Sequence, residues 1–171
     1  MTMSAGARKF ALASHLTFAV GWIGAVLAYL ALGVAAEAST SDETVRGAWV
    51  AMELTGWYVL VPLASATVLT GLVMALGTRW GLFRHYWVLI SFVLTVFAAV
   101  VLVLHMPTVS DSADIAREAD SARLEGLGGD LAHPGIGLGV LLVIQVLNVY
   151  KPTGMTRYGR RREYDSVAVA P

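Results

Sequence analysis

Apolar residues in this chain gather into four long runs separated by short polar stretches. The runs cover roughly residues 10–36, 48–76, 82–106 and 131–150, that is, Phe10 to Ala36, Ala48 to Leu76, Leu82 to Met106 and Leu131 to Tyr150. Each reaches the ~20 residues that, at ~1.5 Å per residue, cross a hydrocarbon layer of ~30 Å. Backbone polar groups in lipid have no water to bond, so each run is predicted helical. None shows the period of two expected of a membrane barrel strand. The pattern predicts an all-α fold, a four-helix transmembrane bundle with antiparallel up-down order, forming one integral membrane domain over residues 1–171.

Composition supports this and removes other classes. Hydrophobic residues make up 57% of the chain and charged residues 14%, against about 45–50% and 25% in soluble domains. Such a chain is too apolar to be disordered or to cover its own surface with polar groups. Its 12 basic and 12 acidic residues cancel, which argues against a nucleic-acid partner, since that needs net positive charge. The absence of cysteine excludes disulfides, thiolate metal sites and thiol catalysis. The first run follows Arg8 and Lys9 and ends in Ala36-Glu37-Ala38, a small-x-small pattern. At 27 residues it is longer than the ~7–15 of a signal peptide, so it reads as a retained helix.

Charge orients the spans. Arg8, Lys9, Arg79, Arg84, Lys151, Arg157, Arg160, Arg161 and Arg162 precede span one, join spans two and three, or follow span four, which puts nine of the 12 basic residues on one side. The other side holds Arg46, Arg117 and Arg123. With them are nine of the 12 acids: Glu37, Asp42, Glu43, Asp111, Asp114, Glu118, Asp120, Glu125 and Asp130. The positive-inside rule then puts both termini in the cytoplasm. An acidic external loop is expected over 107–130, with Ser110 capping a short helix, and a frayed basic tail over 151–171.

Helical periodicity assigns faces. Small or polar residues group as Ser14, Thr17, Gly21, Gly24, Ala28 and Ala35 in span one, whereas His15 falls with Trp22, Val26 and Tyr29. The corresponding faces are Glu53, Ala64, Gly71 and Ala75 in span two, then Ser91, Thr95, Ala98, Leu102 and His105 in span three. In span four they are His133, Gly137, Leu141, Ile144 and Asn148, with Gln145 at the edge. Small and polar faces are expected to meet other helices. Pro62 is expected to bend span two, and Gly135 with Gly139 forms a GxxxG contact motif.

All four histidines lie at span ends, His15 and His85 near the basic side, His105 and His133 near the acidic side. Histidines from different helices of a bundle suit axial ligation of haem b and membrane electron transfer. His105 with His133 is the better pair, with Glu53 placed to take a ring N–H. His15 with His85 is a second pair, with Arg84 near a propionate and Gln145 or Asn148 orienting a ring. His85 and His105 stand roughly 30 Å apart on one helix and cannot share a centre. Alternatively, Glu53, His105 and His133, beside Met106, suit copper or zinc, or form a proton relay. A further reading makes the histidines boundary residues of an accessory or scaffolding subunit, like Trp22, Trp49, Trp57, Trp80, Tyr86, Trp87 and Tyr150 of the aromatic belt. Its partners are then the lipid bilayer, other membrane redox subunits or a second copy of the chain. No nucleophile elbow, phosphate loop or HExxH helix is present, which leaves acid–base chemistry on a small lipophilic substrate as the enzymatic possibility.

Several motifs carry a resemblance. Ser14-His15-Leu16, Gly21-Trp22-Ile23-Gly24-Ala25, Met52-Glu53-Leu54, Trp80-Gly81-Leu82-Phe83-Arg84-His85-Tyr86-Trp87 and Leu104-His105-Met106 resemble a family of uncharacterised bacterial four-helix integral membrane proteins. More distantly, the span-one histidine before a Trp-x-Gly, the histidines bracketing span three and the Lys151-Pro152 exit resemble small haem-containing protoporphyrinogen oxidases and copper-resistance membrane proteins. That resemblance implies His15 as haem ligand. It departs at Ser91, where a lysine is expected, and at His133-Pro134-Gly135, which replaces an arginine-rich start of span four.

Overall fold

A computed structural model describes residues 3–78, 81–118, 120, 124 and 126–161. Arg79, Trp80, Arg123, Glu125 and Arg162, which enter the charge and aromatic readings, lie outside these residues. Helix α1 runs Ala5–Ala38 and is capped by Ser4, whose hydroxyl accepts from the Ala7 amide at 3.3 Å. Helix α2, Asp42–Thr55, starts on Ser41, with Asp42 and Glu43 in its first turn, where the helix dipole favours acids. It passes through a π-helical turn, Gly56–Leu60, directly into α3, Val61–Gly77. The Val61 amide reaches back to the Gly56 carbonyl, five residues away. Pro62 has no amide and its ring would press on the Tyr58 carbonyl of a regular helix. The widened turn just before it absorbs that conflict.

The third apolar run forms α4, Tyr86–Glu118, which continues unbroken through Pro107. The predicted loop starting at Pro107 is therefore helical for its first twelve residues. Packing is the reason: Met106, Val109, Ala113 and Ala116 recur at helical spacing and are all buried, with α2 packed against α4. The Arg46 guanidinium also donates to the Ala116 carbonyl at 2.5 Å and the Arg117 carbonyl at 3.2 Å, covering the end of α4. Trp57 Nε1 donates to Ser110 Oγ at 3.0 Å, so Ser110 serves a cross-helix contact in place of a cap. Helix α5, Ala132–Tyr150, stops at Lys151, whose φ of 46° is left-handed, just before Pro152.

These helices supply four segments long and apolar enough to cross a membrane, Ala5–Ala38, Asp42–Gly77, Tyr86–Glu118 and Ala132–Tyr150. Large apolar side chains such as Leu69, Phe97, Leu104, Ile136 and Val149 point outward, the coat expected of a chain solvated by lipid. Helix α1 packs on α2, α3 and α5, and α4 packs on α2, α3 and α5. At one end, the Met3 amide bonds the Gly77 carbonyl and the Tyr86 amide the Gly154 carbonyl. Arg84, Lys151 and Arg157 belong to this basic end. At the other, acidic end, Arg46 and Glu53 of α2 meet the last turns of α4. The tail is not frayed where it is described. Thr156 donates to the Phe83 and Arg84 carbonyls, and residues 154–160 dock on the turn before α4.

Two expected helix contacts are absent among the described residues. Helix α1 buries Trp22, Val26, Tyr29, Gly33 and Ala36, the face that carries His15, and exposes Gly24, Ala28 and Ala35. Aromatic and branched side chains fill more interhelical volume than the small face can. Likewise a Cβ built at Gly135 or Gly139 meets nothing within 4 Å, so that GxxxG face is open. Spans two and three follow the expected pattern, with Ala64, Ala75, Ser91 and Thr95 buried.

Close approach of α1 to the segment before α5 fixes the acidic end. A Cβ on Gly33 would sit 2.7 Å from the Asp130 carbonyl oxygen, and one on Gly129 would sit 2.1 Å from the Gly33 carbonyl oxygen. Gly128 adopts a φ of 58°, its carbonyl accepts from Trp49 Nε1 at 3.1 Å, and the Gly129 amide donates to Glu37 at 2.6 Å. Gly33→Ala is expected to lower stability by about 1–3 kcal/mol through overpacking. Gly24→Ala, facing open space, should be neutral or slightly stabilising. Thermal unfolding of the two variants in detergent checks the contrast.

Candidate functional site

Cavities lie between the helices toward each end of the bundle, two of which bear on the site. The larger, about 790 Å³, is a slot at the basic end bounded by α1, α3, α4 and α5. Several of the residues facing it are short: Ala19, Thr67, Gly71, Ala75, Ser91 and Thr95. Arg8, Lys9 and Lys151 also line it, as do Gln145 and Asn148.

His15 projects into this slot, and its hydrogen bonding determines which nitrogen is available. Its Nδ1 lies 3.0 Å from Thr70 Oγ1. The single Thr70 hydroxyl proton is already directed to the Ala66 carbonyl at 2.6 Å, with Thr67 as a longer acceptor at 3.3 Å. Thr70 must therefore accept, His15 carries its proton on Nδ1, and Nε2 keeps the lone pair. A Cβ at Gly71 would be 3.3 Å from the imidazole Cε1, so glycine there lets the ring lie against α3. Three polar groups near the slot bond back to their own helices: Thr67 to Leu63, Thr95 to Ser91 and Asn148 to Ile144. The Ser91 hydroxyl, in a residue 5% exposed, has no hydrogen-bond partner among the described residues.

The second site is a rim cluster at the acidic end. Asp130 Oδ2 accepts from His105 Nε2 at 2.7 Å and from the Tyr29 hydroxyl at 3.2 Å. Its Oδ1 lies 3.6 Å from His133 Nδ1, an ion-pair distance only. The two imidazoles stack with centroids 3.7 Å apart at 17°. One ligand-type atom from each of His105, Asp130 and His133 lies within 4.8 Å of the others. Burial raises the Asp130 pKa. Hydrogen bonding and charge from His105, then the charge of His133 and the Tyr29 hydroxyl, outweigh it and leave the carboxyl below its ordinary value. Beside this cluster opens an almost wholly apolar cavity of about 250 Å³.

The expected site residues are thus distributed as follows. His105 and His133 come together, but on Asp130; the Glu53 carboxylate instead pairs with Arg117, which also reaches Asp114 at 2.5 Å. His15 and His85 are not joined in the slot, because His85 lies in the turn before α4, where its backbone bridges Met155. Arg84 is packed under Gly159, away from the slot lining. Asp130, Tyr29 and Thr70 were not singled out in the sequence. Asp130 stands three residues before His133, within helical reach, and Thr70 lies on the half of span two whose phase the π turn resets. No protein-family model, curated protein or solved structure matches the chain.

The lowered Asp130 pKa predicts a pH dependence. A carboxylate whose native pKa lies below its unfolded value contributes stability that is fully present above about pH 4 and is lost as pH falls through the native pKa. Unfolding midpoints of the wild type should therefore drop on acidification below that range, and Asp130→Asn should flatten the drop. An unchanged acid limb in the variant would show that Asp130 contributes nothing.

Proposed function

We propose that this protein is a small four-crossing protein of the bacterial cytoplasmic membrane that binds haem b in the basic-end slot and serves membrane electron transfer. In this reading the helices alternate in direction and both termini are cytoplasmic. The observation that carries it is His15: an imidazole whose Nδ1–H is held by Thr70, leaving Nε2 as a ligand nitrogen over a cavity of about 790 Å³. Fixing one ring nitrogen by hydrogen bond is how proteins orient a ligating histidine. The volume falls within the ~300–1,000 Å³ of cofactor pockets, and the apolar walls suit a macrocycle. Arg8, Lys9 and Lys151 would pair with propionates, and the Ser91 hydroxyl would gain a partner. Haem, when bound, would supply reversible one-electron transfer. The chain's residues would hold it, exclude lipid from His15 and neutralise its acidic edge. His105 and His133 fit an axial pair less well, because their rings present faces to one another and His105 is engaged by Asp130.

Absorption spectra test this. Protein purified after haem-replete expression, or reconstituted with haemin, should show a Soret band that His15→Ala abolishes. Thr70→Val should weaken haem affinity about 10–100-fold, and His105→Ala and His133→Ala should retain the band. A colourless wild type, or a band indifferent to His15, overturns the proposal in favour of an accessory subunit.

A second reading, favoured by the convergence of His105, Asp130 and His133, makes the rim a copper or zinc site. Imidazole and carboxylate ligands suit both ions, with Tyr29 orienting the carboxylate. Binding would require the stacked rings to part so that their nitrogens face one ion. Metal analysis after loading with either ion should give one equivalent, lost in His133→Ala; no retained metal removes this reading.

A further inference from the structure

The apolar cavity beside the rim cluster has features that neither haem nor a bound ion explains. Its walls come from α1, α4 and α5 and include Trp22, Val26, Phe97, Leu102 and Val140. Its polar side chains, Tyr29, His105, Asp130 and His133, all belong to the rim cluster. Phe97, Val101 and Ile136 both line it and present exposed apolar surface on the coat of the bundle. A molecule reaching it along those residues comes from the acyl-chain region of the bilayer, not from water.

Size and chemistry narrow the occupant. A dry cavity of about 150 Å³ accepts one benzene ring, so about 250 Å³ takes a substituted ring but no coiled acyl chain. A hydrocarbon would make no use of the polar cluster on the wall, whereas a ring bearing oxygen substituents can hydrogen-bond to it. A ring hydroxyl can donate to Asp130 or to an imidazole nitrogen, and a ring carbonyl can accept from His133. We propose that this cavity binds the ring of a membrane-soluble quinone or quinol, with the ring oxygen at the rim cluster and the tail leaving past Phe97 and Ile136.

The site also abuts the slot. Trp22 and Leu141 line both cavities, so a quinone ring here and a group on His15 would be separated by one layer of side chains. This gives the electron-transfer reading its partner class and rests on that reading for its purpose, whereas the binding itself does not need haem.

Equilibrium dialysis of the detergent-purified chain against a labelled short-tailed 1,4-naphthoquinone tests the proposal. Wild type, with or without chelator treatment, should bind one equivalent saturably, and decanol should not compete. Gly137 lines the cavity and faces open space, so Gly137→Leu should fill it without strain, weaken binding at least ten-fold and leave any Soret band intact. His133→Gln should weaken binding several-fold while the fold, followed by thermal unfolding, is kept. No saturable binding by wild type, undiminished binding by Gly137→Leu, or equal competition by decanol overturns the proposal. A naphthoquinone site in protein that takes up no haem would instead sink the haem reading and leave this one standing.

Discussion

Inside a bilayer the only hydrogen-bond partners are those the chain brings with it, and that constraint organises this molecule. Most hydroxyls and amides within the spans turn back on their own helices. Thr17 bonds Ala13, Ser65 bonds Val61, Thr70 bonds Ala66, Thr95 bonds Ser91 and Asn148 bonds Ile144. Against that background a polar group that reaches across helices, or reaches nothing, is informative. His15 crosses to Thr70, His105 to Asp130, Tyr29 to Asp130, and Ser91 has no partner. These four groups line the two cavities.

Packing density is uneven for a related reason. The main buried apolar cluster, from Trp22 through Met52 and Met106 to Leu124, is centred on the acidic half, whereas among the described residues the other such cluster is the small one of Ala75, Trp87 and Val88 toward the basic end. Side chains are closely buried where α4 runs on past Pro107 along α2. Short side chains line the other half, so the helices there enclose space. A well-packed half thus acts as the frame that keeps the looser half open.

The four apolar runs, the helical class and the burial of Ser91, Thr95, Ala64 and Ala75 were all legible in residue order, because lipid makes hydropathy a direct signal. The extent of α4 was not. Pro107 and the acids after it read as a loop, but packing on α2, with Arg46, Glu53 and Trp57 reaching Ala116, Arg117 and Ser110 from far away in sequence, supports that segment as helix. The face of α1 was misjudged because small residues signal close helix packing only where a partner helix is present. At the rim the histidines were found but the carboxylate was not: Glu53 had the right phase, yet Arg117 claims it. Asp130 is carried in by the close contact of Gly33 with Gly129, which no periodicity encodes.

The π turn at Gly56–Leu60 has a consequence far from where it lies. One additional residue in a helical turn advances everything beyond it by about 100° around the axis. Thr70 stands ten residues past that turn, some 15 Å along the rod. With a uniform α-helical winding it would be turned by about that much from the bearing it now presents to His15. The posture of His15 at one end of the bundle is thereby set by a wrinkle in the backbone nearer the other, which takes up one residue so that the slot's lining keeps its bearing.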